Sequence, residues 1–127
     1  MKTYLCDTHA LAWYLTQDPR LGPGAHAAFE EAEDGDAHML IPTIVLAELL
    51  YVSEKKRVTP PFKQLLHLLS LSQNYLTVPL DFSTVLRAQG ISRGDLHDRL
   101  IVASAKMMDA VIISRDSEIR KIHAVAW

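Results

Sequence analysis

Four acidic residues have types and positions suited to metal-dependent chemistry, and they are Asp7, Glu48, Asp98 and Asp116. Carboxylate oxygens are the ligands that Mg²⁺ and Mn²⁺ prefer. The six histidines show no zinc-type spacing, and the single cysteine provides no thiolate cluster. A cation held by crowded carboxylates relieves their repulsion, lowers the pKa of a bound water and fixes a phosphodiester for in-line attack. The hypothesis from these residues is therefore a divalent-metal site for phosphodiester hydrolysis.

Each aspartate of this set also has a purely structural alternative, because Asp is a favoured N-cap of helices. Asp7 precedes a helical pattern that begins at Thr8, and Asp116 precedes a last helical turn. Asp95 and Asp98 have the spacing of a capping box at the start of another helix. Position along the chain leaves both capping and metal binding open for these residues.

Glu48 differs from the aspartates because it lies inside a helical pattern that is apolar on nearly every side. It is one turn from Ile44 and from Val52, so we expect it to point toward the core or a cleft. No Lys or Arg lies one turn away in its own helix, and an unpaired buried carboxylate is costly. A metal, or a basic residue from elsewhere in the fold, must then supply the positive charge. The metal is the favoured interpretation, because buried acids away from partners mark functional sites.

Strand and helix patterns alternate along the chain, and they indicate where these acids lie in the predicted fold. Strands are predicted at Thr3–Cys6, Met39–Ile41, Leu76–Leu80, residues 111–114 and Ala124–Trp127. Helices are predicted at Thr8–Thr16, Ala25–Glu33 (short, acidic and exposed), Pro42 or Thr43 to about Lys56, Phe62–Leu71, Asp81 or Ser83 to Gly90, residues 97–109 and Ser117–Lys121. This alternation predicts an α/β fold, a three-layer α/β/α sandwich with a mainly parallel central sheet. Ligands bind such sheets beyond the carboxyl ends of the strands, where Asp7 and Asp116 belong.

The composition is that of one globular domain over residues 1–127, with 49% hydrophobic and 22% charged residues. No membrane span and no secretion signal are expected, and the lone Cys6 suits a reducing compartment, so the expected location is the cytoplasm. The net charge of −2 comes from 15 acidic and 13 basic residues. Without the four candidate acids, 11 acids against 13 bases leave +2, so the overall acidity does not exclude a nucleic-acid substrate.

Basic side chains adjoin the candidate ligands. Arg99 and Arg115 each follow or precede one of the aspartates, and a guanidinium suits bidentate phosphate contact as well as ordinary ion pairing. His9 and His97 also stand beside candidate ligands, where an imidazole contacts substrate, orders a carboxylate or simply forms a hydrogen bond. Further candidates for nucleic-acid contact or base stacking are Lys55-Lys56-Arg57, Trp13 and Tyr14, with a solvated helix end and core packing as their alternatives.

Four short motifs in this chain resemble those of the PIN-domain nucleases, and more narrowly the VapC-type toxins of toxin–antitoxin pairs. The motifs are Asp7-Thr8-His9-Ala10-Leu11-Ala12-Trp13, Ala47-Glu48-Leu49, Asp98-Arg99-Leu100-Ile101-Val102-Ala103-Ser104-Ala105 and Ser114-Arg115-Asp116. The last has Ser where the family usually has Thr. The third is preceded by Asp95-Leu96-His97 instead of the usual Asp-Pro-Phe, which leaves Asp98 as the matching ligand. The motifs follow one another in order over nearly the whole chain.

The resemblance implies a compact α/β/α fold, Mg²⁺ or Mn²⁺, endoribonuclease activity, homodimerisation and inhibition by a small antitoxin. It makes the four acids metal ligands and catalytic residues, with four auxiliary candidates, Asp95, Glu118, Thr8 and Ser114. A second interpretation is a PIN-like module that binds RNA or protein without cleaving, and the presence of all four acids counts against it. The expected dimer interface is the helix at residues 62–71, which has more leucines than one core-facing stripe requires.

Overall fold

Parallel strands alternate with helices throughout the described chain, which confirms the predicted α/β class. The structure, a computed structural model, describes residues 1–56 and 61–127. The strands are β1 (Lys2–Cys6), β2 (Ala37–Pro42), β3 (Tyr75–Val78), β4 (Val111–Ile113) and β5 (Val125–Ala126). The helices are α1 (Thr8–Leu15), α2 (Pro23–Glu33), α3 (Thr43–Lys56), α4 (Pro61–Leu71), α5 (Phe82–Gln89), α6 (Leu96–Met108) and α7 (Ser117–Arg120).

The order of the strands creates a switch point beside the central strand. The described strands form one sheet in the order β3-β2-β1-β4-β5, and every neighbouring pair is parallel. The chain first adds strands on one side of β1 and then returns to add β4 and β5 on the other side. The carboxyl ends of β1 and β4 are tied together, since the Asp7 N–H donates to the Ile113 carbonyl at 3.2 Å. Ligands bind α/β sheets at such a point.

The core lies on both faces of the sheet. Tyr4, Leu5 and Cys6 are consecutive buried residues of β1, and successive side chains of a strand point to opposite faces. Both faces of the central strand are therefore covered, as a parallel sheet between two helix layers requires.

Helix α2 is not the exposed helix that its acidic composition predicted. Ala25, Ala28, Phe29 and Ala32 are buried, and they have the i, i+3, i+4, i+7 spacing of a core-facing stripe. The Phe29 ring stacks on Tyr14 of α1 with ring centroids 4.3 Å apart. Small alanines let this helix approach closely, while its glutamates occupy the remaining faces. The spacing of these apolar residues was present in the sequence, but the acidic residues of the segment favoured the wrong interpretation of an exposed helix.

The remaining element bounds agree with the predicted ones to within about two residues. β2 starts earlier than predicted because it pairs with β1 from Lys2 and Ala37 onward. α6 stops at Met108 because Asp109 adopts a left-handed conformation, with φ of 51°, that ends the helix. Of the predicted chain break at Pro60-Pro61, Pro60 lies outside the described residues.

Candidate functional site

Asp7 and Asp116 lie together at the switch point, and both are N-caps. The Ala10 N–H donates to Asp7 Oδ1 at 2.9 Å at the start of α1. Asp116 Oδ1 accepts from the backbone N–H groups of Glu118 at 2.7 Å and of Ile119 at 3.3 Å. Each cap uses Oδ1, so the second carboxylate oxygen of each residue is left for another partner. The structural alternative is therefore correct, and it is compatible with metal binding.

The surroundings of Asp7 oppose its ionisation. Burial raises the pKa of Asp7, the Ser114 hydroxyl and the Ala10 amide lower it, and the charge of Asp116 raises it, with a net upward shift. The Ser114 Oγ also accepts from the Asp116 N–H at 3.0 Å. Ser114, an auxiliary candidate, thus influences both acids, through the Asp116 amide and through the pKa of Asp7.

The charges of Asp7 and Asp116 also act on Asp98. It lies in the first turn of α6, whose N-cap Asp95 accepts from the Asp98 N–H at 2.9 Å. Burial raises the pKa of Asp98, and the charges of Asp95, Asp116 and Asp7 raise it further, while His97 lowers it. The structure therefore brings Asp7, Asp98 and Asp116 within electrostatic reach of one another, and Asp95 serves as a helix cap.

The donor atoms of these residues suit a hard cation, but the side chains do not stand close together. Among residues 1–56 and 61–127, no three His, Cys, Asp or Glu side chains stand close enough together to hold a metal ion. The full convergence of four acids is therefore not seen. The donors are nonetheless all oxygens, they repel one another, and they keep oxygens that no helix cap uses. The buried Thr8 hydroxyl beside Asp7 also has no hydrogen-bond partner among the described residues.

Glu48 is not the buried, unpartnered carboxylate that its helix pattern predicted. Its side chain is 44% exposed, and Oε1 lies against Nδ1 of His97 from α6. The prediction was wrong because neighbours cover only part of α3, and Leu50 and Tyr51 of the same apolar run are exposed. The basic partner does come from elsewhere in the fold, which is the alternative that the sequence left open. It is an imidazole and not a Lys or Arg.

Arg115 and His9 reach the site, and Arg99 is used elsewhere. Arg115 and His9 line a cavity of about 370 Å³ with Asp7, Trp13, Asp116, Ser117 and Trp127, hereafter the acid cleft. Nε and Nη2 of Arg99 donate to the Ala88 carbonyl at 3.2 and 2.9 Å, so this side chain braces α6 against the end of α5. It does not line the acid cleft.

Glu118, an auxiliary candidate, already has two cationic partners. Lys121 Nζ lies 2.9 Å from Oε1 and Arg93 Nε lies 3.7 Å from Oε2. The hydrogen bond from Lys121 is the main cause of a lowered Glu118 pKa. The carboxylate is about half exposed, and it does not line the acid cleft.

Trp13 is unavailable for base stacking, because it is buried and two guanidiniums contact its ring. Arg20 and Arg115 each lie 4.5 Å from the Trp13 ring centroid. The Trp127 ring packs edge-on against it at 5.9 Å. Sequence reasoning missed Arg20 and Trp127, since neither stands near a candidate acid in the chain. Lys55 contacts the Tyr51 ring at 5.7 Å, and Arg57 lies outside the described residues.

A larger cavity of about 1090 Å³ lies on the other side of Trp13, between α1, α2 and α4. Its lining is apolar at Leu15, Leu68 and Leu71 and acidic at Glu30 and Glu33. This cavity is called the acidic groove below. Trp13 lines both the groove and the acid cleft.

The described helices are all too short or too polar to span a membrane.

The chain belongs to the PIN domain family, whose profile it matches over residues 4–125. A comparison with curated protein sequences finds no significant match. Among solved structures, it is similar to a chain of VapBC2 from Rickettsia felis bound to a promoter DNA fragment, at 20% identity and a TM-score of 0.68, covering 94% of this chain and 92% of that one.

Two further structures have a similar fold. DNA-bound VapBC from Salmonella typhimurium gives 18% identity and a TM-score of 0.69, covering 98% of this chain and 96% of that one. A toxin–antitoxin complex from Klebsiella pneumoniae gives 17% identity and a TM-score of 0.62, covering 94% and 92%. The family and the fold predicted from the four motifs are thereby confirmed.

Proposed function

We propose that this protein is a metal-dependent endoribonuclease and the toxin of a toxin–antitoxin pair, with one nuclease domain over residues 1–127. The observation that carries the proposal is that Asp7 and Asp116 lie together at the switch point of a PIN-domain sheet, where like charges, including that of Asp98, repel one another. A divalent cation would relieve this repulsion. Similarity of fold to a toxin–antitoxin complex supports the toxin role.

The residues that would hold Mg²⁺ or Mn²⁺ are Asp7, Glu48, Asp98 and Asp116. The cation would supply charge neutralisation at the phosphate and a better water nucleophile at neutral pH. Backbone caps hold one oxygen of Asp7 and one of Asp116, so the direction of each second oxygen is fixed. The Ser114 hydroxyl favours the ionised form of Asp7 against the effect of burial. These contacts prepare the carboxylates before any ligand binds.

Arg115 is the residue that we expect to contact the RNA phosphate. Its side chain is exposed at the acid cleft, and the Trp13 ring holds its guanidinium at 4.5 Å. A guanidinium held in this way presents several donors in a fixed plane, which suits a phosphate group. His9 lines the same cleft and offers a second polar contact.

The acidic groove is the surface that we propose for the antitoxin. Its leucines would bury an apolar face of a small partner, and Glu33 would pair with a basic residue on that partner. Glu30 of the same groove already lies 2.6 Å from His26 Nδ1. Because Trp13 separates the groove from the acid cleft, a partner in the groove would also contact the wall of the site. We also propose a cytoplasmic location, where such RNA and protein partners would be met.

A homodimer is also proposed, with two exposed apolar surfaces as candidate interfaces. On α4, within the predicted interface at residues 62–71, Leu66 is 54% exposed, whereas the exposed Leu71 lines the acidic groove. On α5, Phe82, Val85 and Leu86 form an i, i+3, i+4 stripe that faces solvent, with Phe82 76% exposed. The α5 stripe is the more continuous surface, and it was not identified from the sequence.

A non-cleaving RNA-binding module is the competing function, favoured by the separation of the acid side chains among the described residues. Total cellular RNA should be incubated with purified protein and Mn²⁺ or Mg²⁺, and new ends should be mapped. We expect metal-dependent cleavage at few positions, lost in chelator and in the Asp98→Asn variant. Equal cleavage in chelator would overturn the metal mechanism. RNA binding without new ends in either metal would favour the non-cleaving module.

A further inference from the structure

A direct side-chain contact joins the candidate ligand Glu48 to α6. Nδ1 of His97, in the first turn of α6, lies against Oε1 of Glu48, near the middle of α3. The two side chains are only partly exposed, at 29% for His97 and 44% for Glu48. The contact therefore links two helices that each carry one of the candidate acids.

Glu48 needs such a contact more than the capped aspartates do. The carboxylates of Asp7 and Asp116 accept from backbone N–H groups that belong to a helix start. Glu48 has a longer side chain, with more rotatable bonds, and it projects from the side of a helix where backbone donors are already used. Without a partner, its carboxylate would sample several rotamers at a half-exposed surface.

We propose that His97 is a positioning residue that orders the Glu48 carboxylate for the divalent cation. Nδ1 holds Oε1, so Oε2 is the oxygen that Glu48 would offer to the cation. His97 directly precedes Asp98, so the same helical turn carries one ligand and the group that orders another. This inference rests on the proposed function, because it assumes that Glu48 is a ligand. It adds that an imidazole from α6 orients a ligand that belongs to α3.

The test measures the dissociation constant for Mn²⁺ alone, by calorimetry, without RNA. His97→Phe keeps a ring and removes the donor, and His97→Asn keeps a side-chain nitrogen close to the position of Nδ1. We expect His97→Phe to weaken Mn²⁺ binding by about 10- to 100-fold, the usual effect of losing a group that orients a ligand. His97→Asn should bind with nearly the wild-type constant. His97→Ala is the second donor-free variant if the Phe ring prevents folding.

A double-mutant cycle with Glu48→Gln identifies the route of the effect. If His97 acts through Glu48, His97→Phe should cause no further loss of Mn²⁺ affinity in the Glu48→Gln background. A wild-type Mn²⁺ constant in both donor-free variants would overturn the positioning role alone. An equal loss in the Glu48→Gln background would overturn it too, since His97 would then act through Asp98. No Mn²⁺ binding by the wild-type protein would overturn the proposed function and this inference together.

Discussion

Replacing Asp7 with Asn should make the metal-free protein more stable and remove most of its response to metal. The pKa of Asp7 is raised in the folded state, mainly by burial, so the folded protein binds more protons than the unfolded chain. Stability from this group is fully present below the ordinary Asp pKa of 3.8 and is lost as the pH rises through the raised folded-state pKa. At neutral pH, the metal-free protein is therefore destabilised by the free energy that corresponds to the whole pKa shift of Asp7. Asn carries no charge and remains a favoured N-cap for α1.

The magnitude of this effect follows from linkage. Each unit by which the folded pKa exceeds the ordinary value destabilises the protein by about 1.36 kcal/mol at neutral pH. With an unfolding entropy of about 2.1 cal/mol/K per residue, this corresponds to about 5 °C in Tm for a chain of 127 residues. Metal at a hundred times its Kd should stabilise the wild-type protein by about 2.7 kcal/mol, or roughly 10 °C. Asp7→Asn should gain much less.

Thermal melts of both proteins, in chelator and in Mg²⁺, at pH 7 and below 3.8, provide the assay. The advantage of Asp7→Asn in chelator should disappear at the lower pH. Asp81→Asn is a matched control, because Asp81 also caps a helix, accepting from the Thr84 N–H at 3.0 Å, yet it is exposed and lies outside the acid set. It should keep the full metal response and gain no stability in chelator. A less stable Asp7→Asn protein with an unchanged metal response would refute the reasoning, and Asp7 would then be only a cap.

Three further predictions concern the proposed toxicity, the proposed contact with RNA and the proposed assembly of the protein. Production of the protein alone should slow cell growth, and Asp98→Asn should relieve this at equal protein level; full toxicity of the variant would argue against a ligand role. Arg115→Ala should raise KM for RNA more than it lowers kcat, and it should reduce the salt dependence of RNA binding. Arg120 is an exposed arginine of α7, and Arg120→Ala should change these quantities little. Light scattering at micromolar concentration should report a dimer, and Phe82→Glu should convert it to a monomer. A monomeric wild-type protein would contradict the proposed assembly.

The positions of Asp7 and Asp116 could be predicted from the sequence because they depend on local patterns and one topological rule. Each follows a short apolar strand, and the carboxyl ends of parallel strands meet at one edge of the sheet. The surroundings of Glu48 could not be predicted in this way. An apolar run on every side of a helix does not indicate which face the neighbouring helices leave open, and Leu50 and Tyr51 proved to be exposed. The same is true of Arg99, whose contact with the Ala88 carbonyl depends on how α5 packs on α6.

In the proposed site, capping and metal ligation would be cooperative roles for Asp7 and Asp116 and not alternatives. An N-cap fixes one carboxylate oxygen on backbone N–H groups, and the rigid helix start then determines where the second oxygen points. The same amides carry positive partial charge, so they offset part of the repulsion that crowded carboxylates experience before a cation binds. Glu48 lacks such a cap, and its partner is a side chain from another helix. Its geometry is therefore the part of the site that depends most on tertiary packing, and substitutions between α3 and α6 should affect metal binding through Glu48 before they affect Asp7 or Asp116.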